Sequence, residues 1–313
     1  MPICVFDIFP DGTTKIPSDT ALTGNGTYRW WHFDLSDPDL EPWASANLPA
    51  IPAGALLQPE TRPRCDRYES GLILNLRGIN MNEGHHADQM VSIRMWLDSD
   101  VIITVRLRRV FAIDEIRQLA VAQAAPLTTA AFTEGLVGRL TARVQDEVMR
   151  ISKLTEFFED DLEDDSTPLP DDLPETRRSV IKIRRYLAPQ KQALETLSSI
   201  DLPLVPEPDG LKLRELANRT TIAVEELDAL QERLIAIQDE HDLHVAQRQA
   251  RHGYGLSVVA AIFLPLGFLT GLFGVNIGGM PGIDNPWAFA ILCLSMIGLA
   301  ALMYILLRLA RWL

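Results

Sequence analysis

At 313 residues the chain is long enough for two or three domains. Its 42 Asp and Glu outweigh 29 Lys and Arg, a formal net charge of -13, which leaves no basic footprint for nucleic acid and favours attraction of cations. Three cysteines far apart in sequence, Cys4, Cys65 and Cys293, exclude a disulfide framework and a CxxC metal knuckle and fit a reducing compartment.

Residues 1–10 lack the basic start and apolar core of a signal peptide. Residues 1–130 are predicted to form an α+β domain, a mixed sheet with helices. TYRWWHFDLS (27–36), GLILNLRGIN (71–80), MVSIRMWLDS (90–99) and VIITVRLRRV (101–110) are rich in β-branched and aromatic residues, with turn residues between them. The last two should pair as a hairpin around Asp98, Ser99 and Asp100, and a short helix should follow over 112–123. His32 reads as a strand residue beside Trp30 and Trp31. NEGHHADQ places His85 and His86 in a turn with Glu83 and Asp88, open to a metal role or to ordinary surface chemistry.

Residues 131–210 are predicted to be a helical region. From Thr133, apolar residues recur at three and four through Leu136, Leu140, Val144, Val148, Ile151 and Leu154. Pro168, Pro170 and Pro174 break this helix, and a second spans 175–199 until PLVPEPDG (203–210) ends it. The acidic run EFFEDDLEDD (156–165) is either a solvated helix end or, repeated in an oligomer, an attractor of cations.

Residues 211–255 are predicted to be a long stalk helix. The stretch 211–252 contains no proline, so the helix should run without a stop into the apolar segment behind it, giving about 65 residues and about 100 Å. Leu216, Ala223, Leu227, Leu230, Leu234 and Ile237 form a three-four seam suited to packing along the helix. Two transmembrane helices follow, over 256–275 and 287–307, each about 20 residues without Asp, Glu, His, Lys or Arg, close to the ~30 Å of a bilayer core. The 47% apolar share of the chain is ordinary only because this end is averaged with a polar remainder. Arg248 and Arg251 precede the first span, Arg308 and Arg311 follow the second, and the loop 276–286 has neither Lys nor Arg. Both termini, including the tail 308–313, are therefore placed in the cytoplasm.

Two helices cannot enclose a polar path, so permeation requires an oligomer with its axis along the first span. Gly253, Ser257, Ala260, Ala261, Leu264, Gly267 and Gly271 supply mostly small residues at near-helical spacing, fit to line a lumen or simply to pack helices closely. Pro265 is either a gating kink or a tolerated irregularity.

At YGLSVVAAIFLPLGFLTGLFGVNIGGMPG (254–282) the chain resembles the CorA superfamily of divalent metal-ion transporters. The resemblance rests on a soluble N-terminal domain, a stalk helix, two C-terminal spans, and a Gly-x-Asn signature, Gly274-Val275-Asn276, with Met280-Pro281 behind it. Magnesium-transporting members characteristically place methionine where this chain has Val275, and acidic residues in the loop where it has IGGMPG. These departures resemble the ZntB-like zinc-transporter branch. The resemblance implies a homopentamer in a bacterial inner membrane, moving zinc, with cobalt, nickel and cadmium as further candidates and proton coupling as a further implication. It implies no resident cofactor.

A ring of Asn276 carboxamides with glycine-freed carbonyls would offer neutral oxygens to a largely hydrated cation, so Gly274, Val275 and Asn276 are the candidate outer filter; Asn276 could instead cap the helix. On the stalk, His241 and His244 at i, i+3, near Asp239, Glu240 and Asp242, are candidate metal ligands or polar contacts continuing the packing seam. No nucleophile–base pair, phosphate loop or metal-catalytic spacing points to an enzyme. The rival readings are a magnesium or cobalt channel of the same architecture and a membrane-anchored signalling or scaffold protein.

Overall fold

The computed structural model describes residues 1–162, 170–200, 207–274, 282 and 285–309. Two compact units divide the chain, Met1–Gln238 and Asp239–Leu313.

The first unit is built on seven strands: β1 (Cys4–Ile8), β2 (Thr14–Lys15), β3 (Tyr28–Asp34), β4 (Arg64–Tyr68), β5 (Gly71–Gly78), β6 (Val91–Leu97) and β7 (Val101–Arg106). Their order is β2-β1-β3-β7-β6-β5-β4, with β3 and β7 parallel and every other neighbouring pair antiparallel. The predicted hairpin is present, Leu97 facing Ile102, closed by the Asp98 N–H donating to the Val101 carbonyl at 2.9 Å.

Alternation along each strand sends side chains to two different cores. Leu72, Leu74, Ile93, Met95, Ile102 and Trp30 pack on one face against α3 (Phe111–Val121), α4 (Thr129–Leu162), α5 (Leu173–Ser199) and the start of α6 (Glu207–Gly274). Ile73, Trp96, Ile103, Val105, Trp31 and Phe33 pack on the other against α1 (Leu40–Asn47) and α2 (Ala50–Leu57). A sheet covered on both faces explains why the central strands read as almost unbroken apolar runs.

Several elements lie beyond the sequence expectation. The strand β4, RCDRY, is polar because it is an edge with one neighbour to satisfy. The helices α1 and α2 carry Pro42 and Pro52, which suit a first turn but read as breakers in sequence. The helices α4 and α6 start at Thr129 and Glu207, a few residues before the boundaries drawn at 131 and 211.

A third core is purely helical. Ala223, Leu227, Leu230, Leu234 and Ile237 of α6 pack with Val144, Val148, Ile151 and Phe158 of α4 and with Val180, Ile183 and Leu187 of α5, while Leu216 joins the sheet-side core. The stalk seam is thus buried inside one chain. Around it Glu159 pairs with Arg233 at 2.5 and 2.8 Å, which holds the Glu159 carboxyl below its usual range.

In the second unit α6 continues unbroken through Pro265 to Gly274, and α7 spans Ala288–Leu309. Both are long and apolar enough to cross a membrane.

Two consequences can be measured. Leu227→Ala, at a fully buried position of the helical core, should cost about 2–5 kcal/mol, read as a lower urea midpoint of the detergent-solubilised protein. His32 is buried, with Nδ1 2.8 Å from Thr104 Oγ1 and Nε2 unpartnered; burial, helped by the nearby Arg106 charge, lowers its pKa to about 3. Only the unfolded chain takes up that proton between about pH 6.5 and 3, so stability present above 6.5 falls by up to about 1.4 kcal/mol per pH unit across that window. His32→Asn, which keeps a partner for Thr104, should flatten this slope in urea titrations followed by tryptophan fluorescence.

Candidate ion-conduction segment

The six residues singled out on the first span, Gly253, Ser257, Ala260, Leu264, Gly267 and Gly271, follow one another at 4, 3, 4, 3 and 4 positions on a continuous helix. At ~100° per residue they fall within an arc of about 80°. All six are exposed in the protomer, and Leu264 shows 76% of its surface. Val258, Ile262, Pro265, Leu266 and Leu269 are half-buried and lie on the opposite side of the helix. Ala261, also half-buried, sits at the border between the two sides, about 40° from Ser257. On α7 the half-buried residues, among them Leu292, Met296, Leu299, Met303 and Leu307, again recur at three and four. Each span thus has a covered side and a bare side.

The bare side of α6 leaves room for close approach. A Cβ added at Gly253, Gly267, Gly271 or Gly274 would meet no heavy atom within 4 Å. Its polar groups are satisfied inside the helix: Ser257 Oγ donates to the Gly253 carbonyl and Thr270 Oγ1 to the Gly267 carbonyl, both at 3.0 Å. Such bonds let hydroxyls sit in an apolar medium without an orphaned donor. The helix ends at Gly274; Val275 and Asn276, the remainder of the candidate filter, lie outside the described residues. Asn285 lies three residues before α7, its Oδ1 accepting from the Trp287 N–H at 2.9 Å.

The candidate metal ligands on α6 are only partly assembled. His241 and His244 are about 60° apart around the helix and both half-buried, whereas Asp239 is exposed and about 140° or more from either. His241 Nδ1 lies 3.7 Å from Asp242 Oδ1 and forms no hydrogen bond. Among the described residues no group of three or more His, Cys, Asp and Glu is gathered closely enough to hold a metal ion. His86 Nδ1 is 3.4 Å from Glu175 Oε1, a pairing across 89 residues that no local spacing announces.

A family model described as CorA-like Mg2+ transporter protein matches residues 25–309, nearly the whole architecture just described. The chain belongs to the CorA-like family. Among similar proteins, the zinc transport protein ZntB of Yersinia enterocolitica is 31% identical over 96% of this chain and 93% of its own length. The divalent cation transporter CmaX of Pseudomonas aeruginosa is 34% identical over 91% and 87%. The solved structure of full-length CmaX superposes with a TM-score of 0.87 at 31% identity, covering 99% of this chain and 98% of that one. The mixed sheet, the long helix and the C-terminal apolar helix are therefore those of a CorA-like protein.

The bare face gives a test of its own. Gly267→Leu or Gly271→Leu in this CorA-like chain adds a side chain into space that the protomer leaves open, so the helicity and Tm of dissociated protomers should be unchanged. A fall in Tm equal to that of Leu227→Ala would place these glycines inside the protomer's own packing.

Proposed function

We propose that this chain is one protomer of a homopentameric inner-membrane transporter of divalent cations, with zinc as the principal cargo. The observation that carries the reading is the bare stripe from Gly253 to Gly271 on α6, small residues on the side that the protomer itself leaves uncovered. Within a bilayer such a stripe gains most by packing against copies of itself around an axis, and five copies enclose a lumen that two helices cannot. The similarity to ZntB and CmaX over more than nine-tenths of the chain supports cation transport and favours zinc.

In this reading, Gly274, Val275 and Asn276 form the outer ring. Five carboxamides offer neutral oxygens to a cation that keeps most of its water, which passes the ion on without trapping it. Tetrahedral zinc ligation would need His, Cys or carboxylate groups, and residues 274–282 contain none. The 42 acidic residues draw cations to the protein by a summed potential. Neither span contains Asp, Glu, His, Lys or Arg, so any proton coupling uses groups at the span ends or on the α6 segment bearing His241, His244 and His252. The arginines at 248, 251, 308 and 311, by the positive-inside rule, support a cytoplasmic position for both termini. Transport of this kind needs no resident cofactor and no enzymatic step.

Zinc uptake into proteoliposomes, with and without an imposed proton gradient, is the direct test: uptake is expected, rising with an inward gradient if protons are coupled. Asn276→Ala should abolish selective uptake, and unchanged flux and selectivity would remove the filter role. The family description itself favours magnesium as a second reading. Competition in one flux assay separates the two, since excess magnesium should leave zinc flux largely intact if zinc is the cargo. Monomeric particles without flux would instead support a membrane-anchored scaffold.

A further inference from the structure

A cleft of 520 Å3 opens in the first unit, bounded by Pro59 and Glu60, by β6, by Arg108 beyond β7, and by Lys182, Arg185 and Tyr186 of α5. Its volume is in the range of small-molecule sites. Four basic residues line it, Arg77, Arg108, Lys182 and Arg185, against two acidic ones, Glu60 and Asp88, an excess of two positive charges in a chain of net charge -13.

The charge is built in from below. Arg77 stands on β5, its guanidinium 3.9 Å over the Tyr186 ring, donating to the Met90 and Thr61 carbonyls. Its Nε is buried and unpartnered, and burial lowers its pKa. Arg94, fully buried on β6, donates to the Gln58 and Pro59 carbonyls and to Ser92 Oγ, and Pro59 and Ser92 line the cleft. Every acceptor of these two arginines is neutral; among the described residues neither forms an ion pair. Arg77 is half-buried with the Glu60 charge nearby, whereas Arg94 is a fully buried cation with only neutral acceptors, which is costly unless something outside compensates it.

The Asp88 carboxylate in the lining is already engaged from within the protein. Asp88 is 5% exposed; its Oδ2 takes Ser179 Oγ at 3.0 Å and Lys182 Nζ at 2.8 Å, while its Oδ1 is buried with no hydrogen-bond partner. Above it Arg108 and Arg185 are exposed and, among the described residues, unpaired with any carboxylate.

We infer that this cleft binds a phosphorylated small molecule of sugar-phosphate or mononucleotide size, its phosphate held by Arg108 and Arg185. Guanidinium groups match a phosphate in pairs of parallel bonds, and a dianion cancels the excess of two charges. Such a ligand would let the first unit sense a phosphorylated metabolite, whatever ion the spans carry.

The test is calorimetric titration of the full-length protein in detergent, at low ionic strength, with AMP, glucose 6-phosphate, adenosine and inorganic phosphate as probes. AMP or glucose 6-phosphate should bind one per protomer, more tightly than inorganic phosphate, with adenosine silent and affinity falling as salt rises. Charge reversal at Arg108→Glu and Arg185→Glu together should weaken binding at least tenfold, whereas Arg219→Glu, exposed on α6 outside the cleft, should not; Tm confirms that the variants remain folded. Absence of binding by both phosphorylated probes, or equal binding by the double variant, overturns the site. Binding of inorganic phosphate as tight as that of AMP overturns the assignment to an organic phosphate. The readout is heat of binding, so its failure is distinct from any failure of ion flux.

Discussion

Burial of one stripe of α6, from Leu213 to Ile237, is the interaction on which the rest depends. A helix of 68 residues has no stability of its own to fix where its apolar end begins. Leu213 and Leu216 lock its start beneath the sheet, and Ala223 to Ile237 lock the following turns between α4 and α5. With that stripe immobilised, α4, α5 and the sheet are held around one helix, and the first unit has a single continuous packing scheme.

The sheet contributes in a different way. Because both its faces are covered, its strands must be apolar throughout, and a charged residue among them has to bury its stem and find neutral acceptors. Asp7 and Arg29 solve this by pairing at 2.5 and 2.9 Å, with Asp19 completing the group. Arg77 and Arg94 do not; Arg77 lines the cleft against α5, and Arg94 is buried behind it on the carbonyls of Gln58 and Pro59. The same protein is thus acidic overall and locally cationic at one concave site, which is where a phosphorylated ligand and a metal cation would be told apart.

Much of the fold was legible because local signals carry it. Richness in β-branched and aromatic residues located β3, β5, β6 and β7, spacing by three and four located α4 and α6, and proline-rich breaks delimited α5. The strands β1, β2 and β4 and the helices α1 and α2 were not, because they are short, edge-bound or proline-bearing, and their pairing is contributed by distant chain. The cleft had a sequence signal, an arginine inside each of LNLRG and SIRMW, but a buried arginine can as well meet a carboxylate, as Arg29 does. Only the neighbours supplied by Gln58, Pro59 and α5 distinguish the cases.

The sequence alone determined that two uncharged spans end the chain, that a helix runs into the first of them, and that Gly274-Val275-Asn276 follows. Such features depend only on composition and on contacts within a few residues. The tertiary structure decided that the α6 seam is satisfied inside one chain, that Ala261 of the first span is half-buried while Ala260 is exposed, and that Arg77, Arg108, Lys182 and Arg185 meet around one cavity. These depend on which surfaces, far apart in sequence, exclude water from each other, and no local spacing encodes that choice.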